Sequence, residues 1–252
     1  MNKTVLVTGG TGKLGRVLLS SFLDAGWTVV VTSPDRGRVD SLVEGYASET
    51  GKAHGLTADF HSSDAVDLLT EELTRRKLVL THLVNNARSR ESLTVQETGM
   101  TRRNEFLAEF ELDVVIPYEL TMRIARSAQH NLQAVVNMGS MYGLVTPNPA
   151  LYDRSLDKSP IQYGVSKAGL HHLTRELAVR LAPQGVRVNC VAFGGFEGKV
   201  DEPFKARYAS MVPSGRMLTE SEVFGPVEFL LGDASTAVNG HILIADAGWT
   251  IW

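Results

Sequence analysis

The chain has 252 residues, 43% of them hydrophobic, so it can form a packed core as one large domain or two small ones. Its 25 basic and 28 acidic residues give a net charge of −3, and neither sign forms a long run, which argues against nucleic acid or an anionic membrane as a partner. The N-terminal apolar run is too short for a signal peptide or a membrane span. We therefore expect a cytoplasmic protein that acts on a small molecule.

Short β-branched segments alternate with longer segments of helical periodicity, a pattern typical of parallel strands covered by helices. The predicted strands are residues 4–8, 28–32, 53–58, 82–85, 134–138, 186–192 and 241–245. The predicted helices are residues 14–25, 38–49, 63–77, 105–130, 161–181 and 220–231. The alternation predicts an α/β fold with one doubly wound parallel sheet of about seven strands and helices on both faces.

No composition shift, repeat or Gly/Ser-rich linker divides the chain, so we predict a single domain over residues 1–252. Two longer connections interrupt the alternation, at residues 144–162 and 196–219. Both follow the carboxyl ends of predicted strands, where open α/β sheets bind their ligands. We therefore predict that these two excursions form walls of the substrate site.

A glycine cluster lies between the first predicted strand and the first predicted helix. Glycines permit positive φ and close backbone approach, and the helix that follows presents free N–H groups to a pyrophosphate. The residues predicted to bind the cofactor here are Gly9, Thr11, Gly12, Lys13, Leu14 and Gly15. A tight strand-to-helix connection is the alternative interpretation, and the turn alone does not exclude it.

Tyr163 and Lys167 are four residues apart and therefore share one face of a predicted helix. An ammonium group one turn away stabilises a phenolate, so Tyr163 is a candidate for the group that moves the proton accompanying hydride transfer. Ser140, after the fifth predicted strand, is a candidate hydrogen-bond donor to the substrate oxygen. The Tyr/Lys spacing also arises by chance, so its weight comes from its joint placement with Ser140, the glycine turn and Asn85-Asn86-Ala87.

These motifs together resemble the short-chain dehydrogenases/reductases over nearly the whole chain. Segment 181–189 and the C-terminal Asp246-Ala247-Gly248-Trp249 add to the resemblance. The resemblance implies a Rossmann-like fold, a nicotinamide cofactor and a homodimer or homotetramer built on the two long helices. It also implies that Tyr163 is the acid/base, that Lys167 contacts the nicotinamide ribose and that Ser140 orients the substrate. Asn86 and Ala87 belong to the implied cofactor site.

Three departures from the family pattern concern charge. Lys13 interrupts the commonest glycine spacing and either adds charge near the phosphates or is a solvated lysine. Arg88 replaces the glycine that usually follows Asn-Asn-Ala, and either binds an anionic group at the substrate mouth or is a surface arginine. Asp113 stands where many relatives carry an asparagine that supports a proton relay. An ionised aspartate accepts hydrogen bonds but donates none, so the relay or the charge balance at Lys167 is expected to differ.

The end of the second strand normally selects the nicotinamide cofactor, because an acidic side chain there binds the ribose hydroxyls and a basic one accommodates a 2′-phosphate. Ser33 occupies that position, and Arg36 with Lys13 favours NADP over NAD. Asp35 leaves NAD open, since its carboxylate can bind ribose hydroxyls. Three further positions resemble cofactor contacts of the family: Asp59 and Phe60 at the adenine, with helix capping as the alternative for Asp59, and the backbone of Gly194 and Phe196 at the carboxamide.

The predicted substrate-site residues are Arg88, Met141, Tyr142 and Tyr152, and Asn148, Asp153 and Arg154 offer further hydrogen-bonding groups in the first excursion. The layout resembles bacterial family members of surface-sugar biosynthesis, which implies a sugar or sugar-nucleotide substrate. Two alternatives remain: a nucleotide-sugar epimerase or dehydratase that retains its cofactor, and a nicotinamide-binding sensor without chemistry.

The adjacent His171 and His172 are the nearest approach to a metal motif. Neighbouring residues on a helix point in different directions, so we predict no metal site and interpret the pair as an exposed helix face. Cys190, the single cysteine, lies in a strand-like apolar run and is predicted to be a buried core thiol.

Overall fold

A computed structural model describes residues 3–46, 52–89, 91–152, 159–198 and 200–252. Its parallel strands form one seven-stranded sheet in the order β3-β2-β1-β4-β5-β6-β7. The strands are β1 (Thr4–Val7), β2 (Thr28–Ser33), β3 (Ala53–Thr57), β4 (His82–Asn85), β5 (Ala134–Ser140), β6 (Arg187–Phe193) and β7 (Ile242–Ala245). The predicted doubly wound sheet is confirmed, and all seven strands begin at the predicted residue or one residue after it.

Helices cover both faces of the sheet. They are α1 (Lys13–Asp24), α2 (Arg36–Glu44), α3 (Ala65–Arg75), α4 (Arg103–Phe110), α5 (Ile116–Arg126), α6 (Ile161–Leu181), α7 (Glu202–Ser210) and α8 (Phe224–Leu231). One core cluster joins the sheet to α3, α5 and α6, and a second joins it to α1, α2 and α8. No helix in the described ranges has the length and apolarity needed to cross a bilayer.

The helical segment predicted for residues 105–130 is α4 and α5 joined by a π-helical turn, Glu111–Val115. π turns insert one extra residue into a helix and occur often at functional sites. Leu112 and Asp113 of this turn are buried against the sheet, so the turn carries an ionisable side chain into the interior. The apolar spacing of the sequence predicts the long helix but gives no signal for the irregular turn.

The strand order reverses direction between β1 and β4, and ligands of open α/β sheets bind at such a point. Val7 of β1 lies opposite Val84 of β4, and Asn85 lies opposite Asn137 of β5. The residues that follow β1, β4 and β5 therefore meet at one edge of the sheet. This edge contains the glycine turn, Asn86 and Ser140.

The second excursion contains α7, a helix that the sequence pattern did not predict. The Tyr208 ring of α7 stacks on Trp249 with centroids 4.6 Å apart, and its hydroxyl accepts a hydrogen bond from the backbone N–H of Gly195 at 2.8 Å. Phe204 of α7 contacts Tyr152 of the first excursion with centroids 6.0 Å apart. The excursions and the C-terminal segment thus share one aromatic cluster beside the sheet edge. Asp153 and Arg154 lie outside the described residues.

The adjacent histidines differ in burial, so the prediction of an exposed pair is wrong for one of them. His172 is exposed, whereas His171 is 3% exposed. A Cβ on Gly139 would lie 2.7 Å from Nε2 of His171, and one on Gly143 would lie 2.5 Å from its Cε1, so these two glycines make room for the ring. Burial lowers the pKa of His171 to about 4, which keeps the imidazole neutral. Cys190 is buried as predicted, and burial raises its pKa to about 12.

Candidate active site

The glycine turn between β1 and α1 approaches its neighbours too closely for side chains. Gly9 has φ +68°, and a Cβ there would lie 2.8 Å from Cα of Ala87. A Cβ on Gly15 would lie 2.4 Å from the carbonyl oxygen of Gly9, well inside van der Waals contact. Packing therefore requires glycine at both positions, and the turn holds the start of α1 against the ends of β1 and β4.

The start of α1 fits a dinucleotide pyrophosphate. Gly12 is the N-cap, is exposed, and offers no side-chain acceptor to the first-turn N–H groups. An anion is stabilised at such a helix end by free N–H donors and by the positive end of the helix dipole. The backbone of Gly12, Lys13 and Leu14 is therefore the part of the turn suited to hold the phosphates.

The Lys13 side chain points across the mouth of the site rather than into open solvent. Its ammonium lies 2.7 Å from Oε1 of Glu220 and donates a hydrogen bond to the carbonyl oxygen of Glu197. Lys13 thereby links the start of α1 to the second excursion. Its charge is already paired with a carboxylate, so its predicted contact with the cofactor phosphates would require this link to rearrange.

The end of β4 is bonded to the end of β1 by one threonine. Oγ1 of Thr8 accepts hydrogen bonds from the N–H groups of Asn86 and Ala87, both at 2.9 Å. The Asn86 amide donates to the carbonyl oxygen of Thr8 at 2.8 Å. These bonds fix the Asn-Asn-Ala segment beside the glycine turn, and they place Arg88 at the mouth of the crevice.

The end of β2 contains the residues that bear on the choice of nicotinamide: Ser33 and Arg36, which favour NADP, and Asp35, which leaves NAD open. Ser33 is buried and accepts a hydrogen bond from the Thr11 hydroxyl at 3.0 Å. Asp35 caps α2 by accepting a hydrogen bond from the N–H of Arg38 at 3.0 Å, which occupies one carboxylate oxygen. Arg36 is exposed, and its one ion pair in the described chain is a 3.4 Å contact with Asp40.

The remaining predicted cofactor residues lie after the ends of two strands, β3 and β6. The Asp59 carboxylate accepts a hydrogen bond from the N–H of His61 at 3.1 Å, and Phe60 is buried in the core cluster that contains α3. The Gly194 N–H donates to the carbonyl oxygen of Ala245 at 3.1 Å, and the Phe196 ring packs on Phe193 at 5.3 Å. Asp59 thus closes a local turn and does not cap α3, whose N-cap is Asp64, so the helix-capping alternative is wrong.

Lys167 is the most tightly bound side chain of the site. Its ammonium is 2.8 Å from Oδ1 of Asp113 and 3.0 Å from the carbonyl oxygen of Met138, and it lies 5.8 Å from the centre of the Tyr163 ring. Ser166 donates to the other carboxylate oxygen of Asp113 at 2.8 Å. An ammonium has three donors, so Lys167 retains one for a further acceptor such as a ribose hydroxyl.

Electrostatics keep this buried ammonium charged. Burial acts to lower the pKa of Lys167, but the charges of Asp113 and Tyr163 and the hydrogen bond to Asp113 outweigh it, so the pKa is raised. Asp113 thus acts as a counter-ion where an asparagine would be neutral. Compared with relatives that carry an asparagine at this position, the chain therefore has an additional negative charge beside Lys167, in a nearly fully buried ion pair.

Ser140 and Tyr163 both keep a free hydroxyl proton in the described structure. Oγ of Ser140 accepts a hydrogen bond from the N–H of Tyr142 at 3.2 Å, which leaves its O–H available as a donor. The turn Met141–Gly143 after Ser140 packs on the start of α6, where a Cβ on Gly164 would lie 3.0 Å from the carbonyl oxygen of Tyr142. The carboxyl end of β5 and the first turn of α6 therefore lie side by side.

The predicted substrate wall is largely aromatic, and several of its hydrogen-bonding groups already bond each other or the backbone. The hydroxyls of Tyr142 and Tyr152 bond each other at 2.7 Å, and Asn148 caps a short 3-10 turn by accepting from the N–H of Ala150 at 3.0 Å. Burial raises the pKa of both tyrosines, so both stay neutral. Met141 is buried beneath them.

Glu109, which motif reasoning missed, is a buried carboxyl group beside the Asp113–Lys167 pair. It is 1% exposed, its Oε2 bonds the Ser92 hydroxyl, and its Oε1 has no partner in the described structure. Burial raises the pKa of Glu109, the Ser92 hydrogen bond partly offsets this, and the charge of Asp113 raises it further. Its spacing of four residues from Asp113 on one helix was the available signal.

The raised pKa of Glu109 predicts a pH-dependent stability. Because the folded pKa exceeds the unfolded value of 4.5, the stabilisation by the protonated form is complete below that pH and is lost as pH rises through the folded pKa. The free energy of unfolding of the native chain, relative to Glu109→Gln, should therefore fall with rising pH. Urea unfolding of both proteins between about pH 4.5 and pH 8 measures this. Glu111→Gln, at an exposed site, is the control, and a difference independent of pH would contradict the prediction.

Beneath the crevice, polar side chains form a buried chain across the sheet. The Asn85 amide donates to Oδ1 of Asn137 at 2.8 Å, and the Asn137 amide donates to Oγ1 of Thr174 at 2.9 Å. Asn85 also lies 3.4 Å from the Thr121 hydroxyl. The network ties β4 and β5 to α5 and α6, and thereby fixes α6 relative to the end of β5. Among the described residues, no group of three potential metal ligands comes together.

Comparisons with known proteins agree with this geometry. A family model described as Enoyl-(Acyl carrier protein) reductase matches residues 14–250. The 3-oxoacyl-(acyl-carrier-protein) reductase FabG of Aquifex aeolicus is 29% identical and aligns over 98% of this chain and 96% of its own. Cyclopentanol dehydrogenase of a Comamonas species is 31% identical over 99% of this chain and 97% of its own.

A solved structure of similar size gives the same result. The crystal structure of a short-chain dehydrogenase from Leptospira borgpetersenii with bound NAD+ superimposes with a TM-score of 0.84 and 27% identity, over 99% of this chain and 93% of that one. The family match spans most of the sequence, including Ser140, Tyr163 and Lys167. The chain belongs to the short-chain dehydrogenase/reductase family of NAD(P)-dependent oxidoreductases, as its motifs predicted.

Proposed function

We propose that the chain interconverts a carbonyl compound and a secondary alcohol with Ser140, Tyr163, Lys167 and Asp113 as its catalytic group. The observation that carries the proposal is the placement of the Lys167 ammonium, held 2.8 Å from Asp113 and 5.8 Å from the centre of the Tyr163 ring. A fixed ammonium whose pKa is raised by its counter-ion, beside a phenol, stabilises the phenolate through which a proton passes.

In the direction of reduction, each side chain has one role. Ser140 donates a hydrogen bond to the carbonyl oxygen, and Tyr163 transfers its hydroxyl proton to that oxygen. Lys167 stabilises the phenolate that remains, and Asp113 holds Lys167 in position. The nicotinamide, when bound, supplies the hydride. Oxidation of the alcohol uses the same groups in reverse.

A labelled cofactor tests the proposal. The protein is incubated with NADPH or NADH deuterated at C4 and with a panel of keto-sugars, keto acids, acyl-ketones, cyclic ketones and steroids, and the alcohols are analysed by mass spectrometry. We expect deuterium on the carbinol carbon of at least one product. Absence of deuterium from every product would contradict the proposed function. A sugar or sugar nucleotide remains our predicted substrate, and reduction of steroids or acyl-ketones alone would exclude it.

We propose that NADP is preferred over NAD. Arg36 supports this, because it is exposed just beyond the end of β2 and its one ion pair in the described chain is the long contact with Asp40. Ser33 offers no carboxylate to the ribose, and Asp35 is engaged in capping α2. These three observations favour a 2′-phosphate over a free hydroxyl at this end of the sheet.

Substitution of Arg36 tests the cofactor preference. Arg36→Ala should raise the Kd for NADPH by about 10-fold or more, since it removes charge-assisted hydrogen bonds, and should leave the Kd for NADH unchanged. Titration of the nucleotide fluorescence measures both constants. Arg38→Ala removes a second exposed arginine of α2 that, two residues along the helix, points in a different direction, and it is the control. An equal effect on both nucleotides, or none on NADPH, would contradict the preference.

The oligomeric state and location remain proposals. A homodimer or homotetramer built on α4–α5 and α6 is supported by exposed apolar side chains on these helices, among them Leu107, Tyr118, Ile161 and Val179. Light scattering coupled to gel filtration determines the assembly. The cytoplasm remains the predicted location. The epimerase, dehydratase and sensor alternatives are not favoured, since the relatives named above are reductases and dehydrogenases.

A further inference from the structure

Arg88 is a cation without an anionic partner at the mouth of the crevice. It follows the Asn-Asn-Ala segment, is exposed, and has no carboxylate within 4.0 Å anywhere in the described chain. Its guanidinium carbon lies 4.5 Å from the centre of the Tyr163 ring. The side chain is therefore held on the acid/base residue itself, and not by an ion pair.

The neighbouring charged groups do not neutralise the positive charge of Arg88. The Lys167 ammonium is paired with Asp113 at 2.8 Å, so these two charges largely cancel. Glu109 is close enough for the charge of Arg88 to act on it, but its carboxyl group is buried, bonds Ser92 and has a raised pKa. The positive potential at the open side of Tyr163 therefore comes from Arg88.

The contact with the Tyr163 ring leaves the guanidinium able to bind a planar anion. A guanidinium has five N–H donors in one plane, and a contact with the π-face of a ring does not use them as hydrogen bonds to an acceptor atom. These donors match the two oxygens of a carboxylate and bind them in pairs. Because the Tyr163 ring already restricts the side chain, less conformational entropy is lost on binding.

We propose that Arg88 binds a carboxylate of the substrate, so that the carbonyl compound is a keto acid, which for a sugar substrate means a keto-sugar acid, and the alcohol is the corresponding hydroxy acid. The inference rests on the proposed function, because it places the carbonyl at the Tyr163 hydroxyl. The same ring that bears this hydroxyl supports the guanidinium, which restricts the carboxylate to within a few bonds of the carbonyl carbon. Arg88 then selects the substrate and fixes its orientation in one step.

The test compares acids with their uncharged esters. We measure kcat/KM with the preferred nucleotide for 2-, 3- and 4-keto acids and their methyl esters, using the native chain, Arg88→Met, Arg88→Lys and the control Arg103→Met at an exposed surface site. We expect the native chain to prefer the best acid over its ester by about 10- to 100-fold, and Arg88→Met to lose that preference through a raised KM for the acid. Arg88→Lys should keep part of it, and Arg103→Met all of it.

Two results would overturn the inference and leave the proposed function standing. One is reduction of neutral ketones or phosphate-bearing ketones in preference to every keto acid. The other is an equal loss for acid and ester in Arg88→Met, which would assign Arg88 to support of the Tyr163 ring. Absence of turnover with every carbonyl compound of the wider panel would overturn both the inference and the proposed function.

Discussion

Tyr163→Phe is expected to lower kcat/KM for carbonyl reduction by at least about 100-fold, because it removes the O–H that donates the proton to the substrate oxygen. The phenyl ring preserves the packing against Arg88 and leaves the Asp113–Lys167 pair intact. The Kd for the nucleotide and the free energy of unfolding should therefore change little. Steady-state kinetics, nucleotide titration and urea unfolding measure the three quantities.

The matched control for this substitution is Tyr118→Phe, which removes a hydroxyl from an exposed tyrosine of α5. It should leave kcat/KM unchanged. If Tyr163→Phe retained the native rate, Tyr163 would have no part in the proton transfer. A loss of nucleotide binding and of activity together would instead assign Tyr163 to the cofactor site alone.

Asp113→Ala is expected to lower the free energy of unfolding by about 3–5 kcal/mol, because it leaves the buried Lys167 ammonium without its counter-ion. Lys167 and Asp113 expose 7% and 2% of their side chains, so solvent screens this pair little. Asp113→Asn keeps an oxygen acceptor for the ammonium and should cost less. Urea unfolding of the three proteins gives the order of stability.

Two controls separate the ion pair from a general effect of substitution. Glu176→Ala breaks an exposed pair with Arg180 and should change the free energy of unfolding by at most about 0.5 kcal/mol. The double variant Asp113→Leu/Lys167→Met removes both buried charges and should recover most of the stability lost in Asp113→Ala. Equal stability of Asp113→Ala and the native chain would contradict the assignment of Asp113 as counter-ion.

The sequence predicts the fold well because the sheet depends on local patterns. Each strand is a short β-branched run between turn residues, and the carboxyl ends of parallel strands meet at one edge whatever the loop details. The glycine turn is predictable for the same reason, since Gly9 and Gly15 are required by contacts within the strand-turn-helix unit. Family resemblance then supplies the roles of Ser140, Tyr163 and Lys167.

Features that depend on distant contacts were not predictable in the same way. The ion pair of Lys13 with Glu220 joins positions more than two hundred residues apart, and no local sequence pattern predicts it. Burial of His171 depends on Gly139, which belongs to a different element. α7 is anchored through Tyr208 and the C-terminal Trp249, so its helical state follows from tertiary packing more than from its own periodicity.

A bound nicotinamide is expected to lie beside the Tyr163 phenol and the Lys167 ammonium of α6. A crystal structure of the chain grown with NADPH tests it without knowledge of the substrate. We expect the pyrophosphate at the start of α1, a ribose hydroxyl within about 3 Å of the third donor of Lys167, and the ring facing Ser140 and Tyr163. A nucleotide bound elsewhere, or a nicotinamide directed away from Tyr163, would contradict the assignment of Tyr163 and Lys167 to catalysis.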